Sequence, residues 1–140
     1  MKISNYFFAL ILLCYPATLF AATGPSYQVQ AEKFLETVVA GQVDQAYDDL
    51  FKDSPILKLK PQDIDITKQQ TNMLISLYGK KLGFEFIKKE TFGNSVIRLI
   101  YIIKTENIPI TFEIYFYKPH SKWLPASVNF EDTFAVLREG

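Results

Sequence analysis

The hydrophobic period changes once along this chain, at Gly83, and that change constrains the fold more than any other feature. Before it, apolar residues recur at the three-to-four spacing of amphipathic helices. After it they alternate, as they do on half-buried strands. Between Ser26 and Ala40 the stripe is Phe34, Leu35, Val38 and Val39, opposed by Glu32, Lys33 and Glu36. Gly41 follows where a left-handed helix terminus is needed. A second stripe runs Val43, Ala46, Tyr47, Leu50 and Phe51, opposed by Asp44, Asp48, Asp49 and Lys52, until Ser54-Pro55 stops it. Residues 56–62 alternate but carry a proline, which predicts a loop or short edge strand. A third helix is expected from Asp63 to Leu82, with Ile66, Met73, Leu74, Leu77 and Tyr78 inward and Gly83 closing it.

Beyond Gly83 the pattern predicts four strands. Phe84 to Phe92 leads into Gly93-Asn94, a two-residue hairpin turn that accepts positive φ. Ser95 to Lys104 is almost continuously apolar apart from Arg98, so either Arg98 or Tyr101 faces the interior. Pro109 to Lys118 alternates, with Ile110, Phe112, Ile114 and Phe116 on one face and Thr111, Glu113, Tyr115 and Tyr117 on the other. Pro119-His120-Ser121 turns the chain into Lys122 to Glu131, where Leu124, Ala126, Val128 and Phe130 share a phase. Helices followed by strands argue for an α+β architecture, three N-terminal helices packed on a four-stranded antiparallel meander. The Phe112/Ile114/Phe116 face is the one the helices should cover.

Residues 1–22 stand apart from this pattern. Lys2, an apolar run from Tyr6 to Tyr15 and the small pair Ala21-Ala22 match a secretory signal peptide cut near Ala22. Pro16 interrupts the run before the roughly 18–20 apolar residues that a spanning helix needs. The expected product is residues 23–140, a single exported domain, periplasmic or secreted, with no stable membrane insertion once the leader is gone. Removing the leader discards Cys14, the only cysteine, and leaves 14 basic against 15 acidic residues. A chain so balanced lacks the basic excess of a nucleic-acid binder. Charge is nevertheless divided: residues 23–65 hold eight acids and four bases, and 66–140 ten bases and seven acids.

The opening from Phe34-Leu35 through Ala40-Gly41-Gln42-Val43-Asp44-Gln45-Ala46-Tyr47 resembles that of nuclear-transport-factor-2-like domains, the curved α+β cone of the cystatin-like group. Phe112 to Lys118, the proline turn, Trp123-Leu124 and the Asn129 to Asp132 run resemble the last hairpin of its secreted members. The resemblance implies a cone whose interior can hold a ligand and a sheet whose outer face can form a homodimer. It also implies, as an alternative, isomerase- or cyclase-like chemistry from aspartate, histidine or tyrosine groups inside the cone. No residue-by-residue motif of those enzymes carries over.

The residues themselves offer little chemistry to a cone interior. Its strands present Phe112 and Phe116, and the polar groups nearest to it are Tyr47, Tyr78 and Tyr101. These five are the candidate ligand-binding residues, and an enzyme would have to pair Tyr101 or Tyr78 with an acid such as Asp65. His120, the only histidine, sits in a turn, and the acidic clusters lack a calcium loop, so neither a metal nor a cofactor is expected and no catalytic residue is assigned. Glu113, Tyr115, Tyr117 and Trp123 are the candidate homodimer residues, since tyrosine and tryptophan are enriched at interfaces. The function expected is that of an exported non-enzymatic domain binding a small apolar ligand or an envelope protein. A purely structural dimeric interaction module is a further alternative.

Overall fold

A computed structural model of the protein describes residues 25–138, so the leader expected over 1–22 lies outside the described residues. The order is α1 (Ser26–Val39), α2 (Val43–Phe51), α3 (Ile56–Leu59), α4 (Pro61–Leu77), β1 (Lys81–Phe92), β2 (Val96–Thr105), β3 (Ile110–Tyr117), β4 (Leu124–Glu131) and α5 (Ala135–Arg138). The protein is α+β, with an open antiparallel sheet in the order β1-β2-β3-β4. Among the described residues the buried hydrophobic side chains run from Tyr27 to Val136.

Helices α1 and α2 form as their stripes require. At the end of α1, Gly41 takes φ +85°, its N–H bonds the Val38 carbonyl, and Gln42 N–H reaches the Thr37 carbonyl. That pair of bonds is a Schellman motif, and it sends α2 back along α1. Phe34, Leu35 and Val38 are buried on one helix, and Ala46, Tyr47, Leu50 and Phe51 on the other.

The third helix differs from expectation in three ways. Residues 56–59 form a helical turn of their own rather than a strand, closed by Lys60 N–H on the Ile56 carbonyl. Pro61 then starts α4 at a position where its missing N–H costs nothing. Helix α4 stops at Leu77, where Gly79 at φ +81° takes the chain out of the helix, and Gly83 lies inside β1. Its buried face is Ile64, Thr71 and Ile75, while Ile66, Met73 and Leu77 point to solvent. Both faces carry aliphatic side chains, so spacing alone does not choose between them. The short helix α5, with Val136 buried, had no sequence signal.

The meander is close to its expected boundaries. Phe112, Ile114 and Phe116 face the helices, as do Ile97, Leu99, Tyr101 and Ile103 of β2. This parity puts Tyr101 inside and Arg98 outside. In β4 a register shift opposite Tyr115/Phe116 breaks the phase. Pro125 and Val128 are therefore buried, and Leu124 pairs with Tyr117 instead of continuing the Val128 row.

Candidate functional site

The expected ligand cavity inside the sheet is filled by side chains. Tyr47, Tyr101, Phe112 and Phe116 are each 0% exposed. Phe34 meets the Tyr47 ring edge-on at 5.0 Å and the Phe112 ring at 6.3 Å. Phe112 also packs on Phe130. The structure thus brings Tyr47, Tyr101, Phe112 and Phe116 together, but as one packed core. Tyr78 packs at the edge of this core: it follows α4, is half-buried, and donates its hydroxyl to the Asp132 carboxylate after β4.

The tyrosines differ in how their hydroxyls are satisfied. Tyr47 shares a 2.8 Å hydrogen bond with Thr71 Oγ1, which itself donates to the Thr67 carbonyl at 2.8 Å. Burial pushes the Tyr47 pKa well above its ordinary value, so the group stays a neutral phenol. The Tyr101 hydroxyl is the one buried side-chain polar atom among the described residues without a hydrogen-bond partner. Burial raises its pKa too, and the negative charge of Glu32 adds to the rise. For Tyr78 the bond to Asp132 acts in the same direction. Each of the three is held in the protonated form, which suits a donor and not a base. Asp65, the acid expected near them, has a side chain 69% exposed and lies beside Lys68.

The outer sheet face carries Glu113, Tyr115 and Tyr117, as alternation requires, but Trp123 does not join them. Trp123 turns to the helix side and packs edge-on against Tyr27 of α1 at 5.5 Å. On the outer face Arg98 bridges Glu90 and Glu113, the latter at 2.9 Å, and Tyr115 donates to Glu113 at 3.0 Å. Lys88 adds a 2.8 Å contact to Glu90. The hydrogen-bonded Lys88 ammonium, helped by Arg98, holds the Glu90 carboxyl below its ordinary range. Glu113 and Tyr115 are thereby engaged within their own sheet, whereas Tyr117 stays 48% exposed.

Concave surface exists at the periphery and not in the expected interior. A cleft of about 200 Å³ opens between α1, α2 and the start of β4. Its apolar walls come from Phe34, Leu50, Trp123 and Pro125. Lys33, Lys52 and Lys122 stand around it with Asp49 and Asp53. A second recess, about 240 Å³, lies beside edge strand β4 between α2, α3 and α4, and Tyr47, Phe51 and Val128 line it. Ser54 separates the two by donating to the Pro125 carbonyl at 2.7 Å. Both are smaller than the roughly 300–1,000 Å³ usual for small-molecule sites. Of the candidate residues singled out in the sequence only Trp123, expected at the homodimer face, lines the first cleft. No group of three or more metal-ligating side chains occurs among the described residues, and no described helix is long and apolar enough to cross a membrane. No family model, curated protein or solved structure matches the chain.

Proposed function

We propose that this protein is a non-enzymatic binding domain of the cell envelope that takes its ligand on the surface, in the cleft between α1, α2 and β4. The observation that carries this reading is the filled interior: four of the five expected ligand residues are wholly buried against one another. Binding therefore falls to the surface, and the Trp123 cleft pairs an apolar wall with three lysines against two acids, Asp49 and Asp53. That chemistry fits an apolar group bearing an anionic substituent, held by packing on Trp123 and by charge at the rim. Export follows from the leader-like residues 1–22, and the nuclear-transport-factor-2-like reading of the fold from the helix-first order and the segments quoted above.

Acid–base catalysis needs a carboxylate or imidazole converging with a tyrosine in a sheltered pocket. The Tyr78–Asp132 pair lies in neither cleft, and Asp65 is exposed. The anionic naphthalene dye 1-anilinonaphthalene-8-sulfonate is a suitable probe. One saturable site is expected, with energy transfer from Trp123 and amide shifts at Gln30, Thr37 and Asp53. Shifts centred instead on Tyr101 and Phe112, or the lack of any saturable site, would overturn the reading.

A further inference from the structure

The β1–β2 and β3–β4 turns lie at the same end of the sheet, tied together by Lys118 N–H donating to the Ser95 carbonyl at 2.8 Å. The first turn of α1 reaches the same end. Tyr27 packs on Trp123, meets Phe116 at 6.2 Å, and has the Lys89 ammonium 6.0 Å above its ring. Three features coincide there. The final outer-face row of the sheet is apolar: Phe92 pairs with Val96, and Val96 with Tyr117, leaving Phe92 50% and Tyr117 48% exposed. Segments 89–96 and 117–124 carry Lys89, Lys118 and Lys122 against one acid, Glu90, which Lys88 and Arg98 already hold. Finally, the chain enters the fold at this end, because Pro25 immediately precedes α1.

From this we infer that the hairpin end of the domain, built from Phe92, Tyr117, Lys118, Lys122 and Trp123, docks on an anionic lipid bilayer. Aromatic rings beside lysines are what the headgroup boundary selects, since the rings take the apolar side and the ammonium groups meet lipid phosphates. Position supports the same occupant. The apolar run ends at Tyr15, ten residues before Pro25, and ten residues span at most about 35 Å. While that run is in a membrane, the hairpin end is the part of the fold tethered closest to it. Asp49 of α2 and Asp53, which follows it, line the cleft together with Lys122 and belong to neither hairpin turn.

The test uses the protein without residues 1–22, with its fold checked by circular dichroism, and does not depend on the cleft being occupied. Its bases and acids nearly cancel, so any preference for an anionic bilayer must come from segregated charge. Binding is expected to vesicles containing phosphatidylglycerol and not to pure phosphatidylcholine. Trp123, the only tryptophan, should shift to shorter wavelength on binding and be quenched by bromine-labelled acyl chains. Lys118→Gln with Lys122→Gln should weaken binding about thirty-fold, on the scale of a surface contribution from each lysine. Lys80→Gln with Lys81→Gln removes the same charge at the opposite end of the sheet and should change it less than two-fold. Three results would refute the inference: no dependence on anionic lipid, equal losses from the two lysine pairs, or an unshifted Trp123 in the bound protein. The Trp123 measurement decides on the unsubstituted protein alone.

Discussion

Replacing Tyr47 by phenylalanine removes one oxygen from the interior, and its cost measures what joins α2 to α4. The Tyr47 hydroxyl and Thr71 Oγ1 are 2.8 Å apart and both residues are 0% exposed. Because Thr71 donates to the Thr67 carbonyl, Tyr47 donates to Thr71. Tyr47→Phe deletes a neutral hydrogen bond but leaves the Thr71 proton bonded, which costs about 1 kcal/mol. Thr71→Val is worse. It leaves the buried Tyr47 donor without its partner, a loss of about 2 kcal/mol. With both groups gone no polar atom is orphaned, so the double variant should lose about 1 kcal/mol and not the 3 kcal/mol or so that addition requires. In a domain of this size, 1 kcal/mol lowers the melting temperature by about 4 °C. Urea and thermal melts of the wild type and three variants complete the cycle. Additive losses, or a Thr71→Val variant as stable as Tyr47→Phe, would refute the claim that the pair is a sealed polar tie.

Tyr101 should behave in the opposite way. Its buried hydroxyl has no partner, so Tyr101→Phe is expected to be neutral or to stabilise by up to about 1 kcal/mol, keeping the ring contacts to Phe84 and Phe86. A shift of the urea midpoint to lower concentration would contradict this. The acid side of the stability profile should carry a contribution from Glu90. Its folded pKa lies below the ordinary 4.5, so its pairing with Lys88 and Arg98 stabilises the fold above that value. The contribution is lost as pH falls through the lowered folded pKa. Glu90→Gln should therefore reduce stability at neutral pH and flatten the decline below pH 4.5; an unchanged profile in pH-resolved urea melts would count against it.

The turn after β1 takes three residues, Gly93 to Ser95, instead of the expected two, whereas the helix-then-meander order, the buried stripes of α1 and α2 and the inward Phe112/Ile114/Phe116 row are readable from spacing. Each rests on a period with one apolar face, and burying that face admits a single phase. Helix α4 has aliphatic residues on two faces, and the buried one carries Ile64, Thr71 and Ile75 instead of the expected Ile66, Met73 and Leu77. What decides it is Thr71: its hydroxyl bonds both Thr67 and Tyr47, and the second bond exists only once α2 lies across α4. The end of α4 moved from Gly83 to Gly79 because either glycine supplies a positive φ.

The candidate site shows the same division. Alternation and helical spacing place Tyr47, Phe112 and Phe116 on inward faces, whereas Tyr101 and Arg98 compete for the interior until the register of β2 on β3 puts Tyr101 inside. Whether that convergence leaves a hole is a property of volumes meeting across elements. Here Phe34 and Phe130 close the space around Phe112. Trp123 lies just before β4, where no strand period governs its direction, and its packing on Tyr27 sets its side. The sequence determined which faces are buried, because water excludes apolar stripes wherever they occur. The tertiary structure decided which surfaces remain concave and which charges are already paired, because both depend on neighbours far apart in the chain.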